Sequence, residues 1–188
     1  AANAGLVVTF AESGNDVTAT LSGSFSALPT NDSAGAASNF SYVWPTGTTY
    51  FVAAAGPSGQ TTNFNLYNFE QTFPEIGTSQ TFSGADSATT NFLIGITPSA
   101  FQLDEDYVPG TDSFSGVVTW NNTDFDTLGL TVGTYTGTLS NDETVQIVIG
   151  GSGGGNDVPE PTTLAMIGLG TLGLAGARAR RKRAAQAA

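Results

Sequence analysis

The fold is decided by the stretch Val17-Thr18-Ala19-Thr20-Leu21-Ser22-Gly23-Ser24-Phe25, in which every odd position is apolar or Gly and every even position is Ser or Thr. This alternation predicts a β-strand with one buried and one exposed face. The same period of two recurs at residues 6–10, 48–53, 62–69, 91–97, 113–120, 134–139 and 144–149. The chain before Gly150 is therefore predicted to be all-β.

Turn-forming residues separate these runs, as in Ser13-Gly14-Asn15-Asp16 and Pro109-Gly110-Thr111-Asp112. No stretch before Gly150 shows a helical repeat with caps. Eight to ten short strands of this kind predict an antiparallel β-sandwich or jelly roll. Its core is expected to contain the apolar residues on one face of each strand: Phe10, Phe25, Phe51, Phe64, Leu66, Phe92, Ile94, Ile96, Val118, Trp120, Tyr135, Ile147 and Ile149.

Charge is divided unevenly along the 188 residues. Fifteen of the sixteen Asp and Glu lie before Val158 and all five Lys and Arg lie after Ala177, so the two parts carry −15 and +4, and the whole chain −11. The acidic part repels phosphate, so we expect no nucleic-acid partner. The chain also has no His and no Cys, which removes imidazole bases, thiolate nucleophiles and zinc ligation by those side chains. We therefore expect no enzyme activity.

The composition changes abruptly at Gly150. We predict an acidic domain at residues 1–149, a flexible Gly-rich linker at 150–157, a distinct C-terminal segment at 158–183 and an Ala-rich tail at 184–188. The apolar run at 162–177 is about 24 Å long as a helix, shorter than a bilayer core of about 30 Å. The basic residues after it favour the cytoplasmic side: Arg178, Arg180, Arg181, Lys182 and Arg183. A short transmembrane helix with transient inner-membrane insertion is expected.

The order of parts at the C-terminus resembles a known signal. Val158-Pro159-Glu160-Pro161, then the apolar run, then the basic cluster resembles the PEP-CTERM sorting signal of Gram-negative bacteria. The resemblance implies recognition by an exosortase, which is a membrane enzyme, and cleavage near Pro159-Glu160-Pro161. It also implies delivery to the cell surface or the exopolysaccharide matrix of a biofilm. We therefore expect a secreted structural or adhesive matrix protein.

Residues 128–135 also resemble a Gly-Leu-Thr-x-Gly-Thr-Tyr signature of such extracellular β-domains. A common hairpin start is the alternative reading of this stretch.

One carboxylate cluster is dense enough to attract a cation. It consists of Asp104, Glu105 and Asp106, with Asp112 after the Pro109-Gly110 turn. Like charges this close either raise their pKa values or bind a cation, and calcium is the natural ion for oxygen ligands. The EF-hand spacing fails, since Val108 and Pro109 occupy its fifth and sixth positions. An irregular calcium site and solvated loop carboxylates remain the alternatives, and no other cofactor is expected.

Two further hypotheses concern partners. Aromatic residues cluster around the Pro45-Thr46-Gly47 turn: Tyr42, Trp44, Tyr50 and Phe51. Of these, Tyr42 and Trp44 are candidates for stacking on a sugar, as in a carbohydrate-binding module, although core positions are the alternative. The run at residues 6–10 lies near the start of the sequence given and is a candidate donor strand for self-association into a filament by strand addition.

Overall fold

Two β-sheets form the acidic domain in the computed structural model, which describes residues 4–54 and 60–150. Their strands in chain order are β1 (Ala4–Ser13), β2 (Asp16–Gly23), β3 (Ser33–Ser38), β4 (Tyr42–Val43), β5 (Phe51–Ala53), β6 (Thr61–Asn68), β7 (Ser83–Gly84), β8 (Ser87–Thr90), β9 (Ile94–Ile96), β10 (Ala100–Asp104), β11 (Gly116–Trp120), β12 (Gly133–Thr138) and β13 (Thr144–Ile149). A single helical turn, α1 (Phe125–Leu128), lies between β11 and β12. The prediction of an all-β domain is confirmed.

The sheets contain six and seven strands. Their orders are β12-β13-β1-β2-β11-β8 and β3-β6-β10-β9-β5-β4-β7. Pairing is antiparallel except between β1 and β13, which run parallel. The predicted sandwich is therefore correct in class, with one parallel pair and more strands in the described residues than the eight to ten expected.

Strand β1 lies in the middle of its sheet. It pairs with β13 on one side and with β2 on the other, through residues 6–10 in both cases. The hypothesis that this run is a free donor strand for a neighbouring subunit is therefore wrong, because both of its backbone edges are already used.

The core lies between the two sheets. Leu6, Val8 and Phe10 of β1 are fully buried, and the ring of Phe10 meets that of Phe51 on the opposite sheet at a centroid distance of 5.6 Å. Most of the predicted core residues are buried. Four predicted members are only half-buried. Phe92 and Tyr135 still pack against the core, whereas the core prediction was wrong for Phe64 and Leu66.

The error on β6 has a clear cause. This strand carries large residues on both faces, and it directs Tyr67 inward, with Phe69 also buried just beyond its end. Phe64 faces the other way and lies over Gly35 of β3, where an added Cβ would sit 2.8 Å from the ring. Because Gly35 has no side chain, the Phe64 ring can pack against the backbone of β3, which buries part of the ring outside the core.

An aromatic cluster fills one region of the core, and we call it the Phe25 cluster: Phe25, Phe92, Phe101, Tyr107 and Phe114. Phe25 meets Phe101, Phe114 and Tyr107 edge to face, at centroid distances of 5.5, 5.4 and 6.1 Å. Tyr107 and Phe114 are stacked 4.8 Å apart. These are the offset and edge-to-face arrangements that the ring quadrupole favours.

The α1 turn was not expected from the sequence. Asp124 caps it by accepting a hydrogen bond from Thr127 N, and Gly129 ends it in the left-handed conformation with φ 70°. The Tyr135 hydroxyl then donates to the Thr131 carbonyl at 2.8 Å, and this bond fixes the approach to β12. The signature-like stretch at residues 128–135 thus has a structural role, namely ending a helical turn and starting a strand.

Candidate functional site

The four carboxylates predicted as a calcium site lie at the end of β10 and in the loop after it. Asp104 is 9% exposed; its Oδ2 accepts from Leu93 N and its Oδ1 from Asp106 N, both at 3.1 Å. Asp112 Oδ2 accepts from Val108 N at 2.8 Å. Both carboxylates therefore stabilise turns of the loop by binding backbone N–H groups.

The structure does not bring these carboxylates together as a cation site. Glu105 Oε1 is directed to Asn63, whose Nδ2 donates to it at 2.8 Å. Within residues 4–54 and 60–150, no group of three or more acidic side chains is placed to hold a metal ion. The calcium site stays a prediction, and the observed contacts support a role for these residues in loop structure.

Other carboxylates bind the backbone in the same way. Glu12 accepts from Phe125 N at 2.7 Å and Asp16 from Asn122 N at 2.9 Å. Asp124 accepts from Thr127 N at 2.7 Å, and hydrogen bonds from the Thr127 side chain and backbone hold the pKa of Asp124 below its usual value. Backbone N–H groups thus take the place that Lys and Arg side chains occupy in most proteins.

The two residues predicted to stack on a sugar have different environments. Trp44 is half-buried, its Nε1 donates to the Gln80 carbonyl at 2.9 Å, and an added Cβ at Gly47 would overlap its ring. One face of the indole is therefore covered by the turn that follows it. Tyr42, also half-buried, packs against Phe82 with a centroid distance of 4.6 Å and an interplanar angle of 40°. Tyr42 thus belongs to an aromatic patch that includes Phe82.

A cleft of about 230 Å³ lies beside this patch. Phe40 and Phe82 line it, and their side chains are 53% and 52% exposed. Ser41, Asp86 and Ser87 supply polar groups to the same cleft. We call these residues, with Tyr42, the Phe82 patch. It lies where the chain leaves β7, the last strand of one sheet, and starts β8, the last strand of the other.

Sequence reasoning missed Phe40, Phe82 and Asp86. They come from segments about forty residues apart, and only the pairing of β4 with β7 brings those segments together. A weak signal was present: Phe82 is the sole apolar side chain in Gly77-Thr78-Ser79-Gln80-Thr81-Phe82-Ser83-Gly84. A large apolar residue with no alternating partners has no predicted core face, so it is a candidate for exposure.

Comparison with protein families gives one result, and it concerns the end of the chain. A family model described as the PEP-CTERM protein-sorting motif matches residues 157–182. The chain carries a PEP-CTERM sorting motif. The match agrees with the predicted motif at Val158, Pro159, Glu160 and Pro161 and with the basic residues after the apolar run. Searches of curated proteins and of solved structures find no match.

The PEP-CTERM motif indicates an exported protein that is sorted and processed by an exosortase, which is a membrane enzyme. The motif, the linker after Gly150 and the predicted transmembrane run all lie outside the described residues. In the part of the chain that the structure describes, no helix has the length and apolar character needed to cross a membrane.

Proposed function

We propose that this PEP-CTERM protein is a structural, adhesive component of an extracellular polysaccharide matrix at the surface of a Gram-negative cell. The sorting motif at residues 157–182 carries the proposal, because a protein that is exported and then processed by an exosortase has its acidic domain outside the cytoplasm. Transient insertion of the apolar run in the inner membrane precedes its release.

The construction of the domain supports a scaffold role. Its sheets enclose a continuous core that runs from Leu6 to Ile149, and its loops are held by carboxylate bonds to the backbone, such as that of Glu12 to Phe125. Neither kind of contact depends on a cofactor or a redox state. Such a domain suits a matrix, where conditions are not controlled by the cell.

We also propose that the chain acts without catalysis. Its lack of His and Cys supports this, as does the use of carboxylates such as Asp104 and Asp112 in turns. Self-association stays a prediction, although residues 6–10 do not supply a free donor strand for it, because both edges of that strand are paired.

The experiment that tests sorting is mass spectrometry of the protein released by the producing bacterium. We expect the C-terminus of the exported form near Pro159-Glu160-Pro161, so that peptides containing Arg178 to Arg183 are missing. In a Glu160→Ala variant we expect the full chain to accumulate in the cell envelope. Exported wild-type protein that retains the basic cluster would contradict processing.

A second experiment tests the matrix role. Cells are fractionated into envelope, matrix and medium, and the acidic domain is located by antibody. We expect most of the protein in the matrix fraction and expect enzymatic digestion of the polysaccharide to release it. Two results together would overturn the matrix role: the protein is found free in the medium, and a strain that lacks the protein retains as much polysaccharide as the wild type. Neither result would contradict sorting.

A further inference from the structure

The Phe82 patch exposes aromatic surface that the fold does not need to expose. Phe40 and Phe82 are the two exposed phenylalanines in the described part of the chain, and both line the same cleft. Full burial of one such side chain is worth roughly 1.5–3 kcal/mol, and exposed aromatic surface gathered at one concavity is typical of a binding site.

The walls of the cleft are fixed before any ligand arrives. Ala85 N donates to the Ser41 carbonyl at 2.9 Å, and Ala54 N donates to Ser41 Oγ at 3.0 Å. Asp86 N donates to the Thr119 carbonyl at 2.9 Å, while Asp86 Oδ2 accepts from Asn121 N at 2.7 Å. Each wall is thus bonded to a neighbouring strand or loop, so little conformational entropy remains to be lost on binding.

The chemistry of the lining indicates a sugar. An aromatic face is the negative pole of the ring quadrupole and attracts the slightly positive C–H groups on one side of a pyranose. Ser41, Ser87 and Asp86 lie beside the rings and offer hydrogen bonds to hydroxyl or amino groups. The volume of about 230 Å³ equals that of about eight water molecules, which suits one sugar unit of a chain that continues beyond the cleft.

The negative charge at the cleft favours a sugar with a positive group over one with a negative group. Asp86 is exposed at the cleft, and the described residues contain no Lys or Arg. Asp86 and the field of the whole domain would repel the carboxylate of a uronic acid, whereas they would attract a protonated amine. We propose that the cleft between Phe40 and Phe82 binds a hexosamine unit of a glycan, with the pyranose on Phe82 and the amine facing Asp86. This assignment rests on the proposed function, and it specifies that the matrix polysaccharide contains hexosamine units.

Binding of purified oligosaccharides to the purified full chain tests the site. The probe is a glucosamine tetrasaccharide at about pH 6, where amines of this kind are protonated, measured by titration calorimetry with and without a chelator. The N-acetylated tetrasaccharide and an alginate oligomer are the comparison ligands. We expect saturable binding of the glucosamine probe that the chelator leaves unchanged and weaker binding of the acetylated probe. Because the full chain carries the basic residues at 178–183, any binding of alginate should be unaffected by Phe82→Ala. Equal binding of the first two would overturn the role of the amine.

Variants separate a specific site from attraction between a polyanion and a polycation. We expect Phe82→Ala to weaken binding about tenfold and Phe82→Tyr to retain it. We expect Asp86→Asn, which keeps an acceptor for Asn121 N, to weaken binding about fivefold. The matched charge control is Asp142→Asn, an exposed acid in the β12–β13 hairpin at the opposite edge of the six-stranded sheet, and the matched apolar control is Val132→Ala.

The outcomes are distinct. Equal losses in Asp86→Asn and Asp142→Asn, with Phe82→Ala unchanged, would overturn the site in favour of general polyion attraction. A dimer in sedimentation that Phe82→Ala dissociates would assign the cleft to a second copy of the chain and overturn the glycan assignment. These measurements need no cell, so a negative result would leave the matrix role untouched, and a mislocated protein would leave the binding site untouched.

Discussion

The Phe25 cluster and the Phe82 patch are built from the same residue types in opposite environments. Phe25 has no exposed surface and meets three other rings. Phe82 is 52% exposed and meets one, that of Tyr42. Rings that are enclosed on all sides contribute mainly to folding, whereas rings that keep an exposed face contribute little to it and remain available for a ligand. This difference in exposure indicates that residues of the Phe25 cluster should be tested for their effect on stability and those of the Phe82 patch for their effect on binding.

The largest expected effect is in the Phe25 cluster. Phe25→Ala removes a fully buried ring and leaves a cavity among Phe101, Tyr107 and Phe114. We expect the free energy of unfolding to fall by about 3–5 kcal/mol, a large share of the roughly 5–15 kcal/mol typical of a domain. Urea unfolding of the purified protein measures this. A loss below about 1 kcal/mol would mean that the cluster is not tightly packed.

The next effect tests how closely the Phe25 cluster is packed. A Cβ added at Gly5 would overlap the ring of Phe25, so Gly5→Ala should lower the free energy of unfolding by about 1–3 kcal/mol. The matched control is Gly84→Ala beside the Phe82 patch, where the nearest atom to an added Cβ is Phe82 Cε1 at 3.7 Å. We expect the control to change stability by about 0.5 kcal/mol or less. Equal losses of stability in Gly5→Ala and Gly84→Ala would show that the Phe25 cluster is packed no more tightly than the Phe82 patch.

Hydrogen bonding adds a smaller contribution to the Phe25 cluster. The Tyr107 hydroxyl accepts from Phe25 N at 2.8 Å and donates to the Asp112 carbonyl at 3.1 Å. Tyr107→Phe leaves the buried Phe25 N–H unpaired, and we expect a loss of about 1–2 kcal/mol in urea unfolding. Tyr42→Phe in the Phe82 patch is the comparison, with an expected change within about 0.5 kcal/mol. A neutral Tyr107→Phe would show that the bond adds nothing to stability.

Alkaline pH should weaken the domain through tyrosines that the fold buries fully or in part. Burial raises the pKa of Tyr107, and it does the same for Tyr50, Tyr67 and Tyr135. Because the unfolded chain loses these protons first, the stability is fully present below about pH 10 and falls as pH rises further. Urea unfolding at a series of pH values measures the decline. Tyr107→Phe should show a shallower decline, and an unchanged slope would exclude a contribution from Tyr107.

The sequence was enough to predict the strands that alternate clearly. The run at residues 17–25 covers all of β2 but its first residue, the run at 6–10 lies within β1, and the run at 144–149 matches β13. Strand β3 was missed because Ser33-Ala34-Gly35-Ala36-Ala37-Ser38 has no large residue to mark a face, and its pairing with β6 alone makes it a strand. The parallel pairing of β1 with β13 depends on chain topology, which local periodicity does not encode.

The site was harder to predict for a related reason. Acidic residues can be counted in a sequence, but whether a carboxylate faces a cation or a backbone N–H depends on loop geometry, as the bonds of Asp104 to Leu93 and Asp106 show. The exposure of Phe82 was missed because apolar residues are assigned to the core by default, and its isolation among polar residues is only a weak signal against that assignment. The sorting motif could be predicted fully, since its information lies in the linear order of its parts.

Removing an aromatic ring from the Phe82 patch should have a much smaller effect on stability than removing one from the Phe25 cluster. Phe82→Ala removes one ring contact, with Tyr42 at 4.6 Å, and a half-exposed side chain whose loss leaves no closed cavity. An aromatic pair adds about 0.5–1.5 kcal/mol, and the ring is already half exposed in the folded protein, so we expect a loss of about 1 kcal/mol or less in urea unfolding. The same variant should lose most of its affinity for the glucosamine probe. A loss as large as that of Phe25→Ala would show that Phe82 supports the fold, and any loss of binding would then reflect unfolding of the cleft.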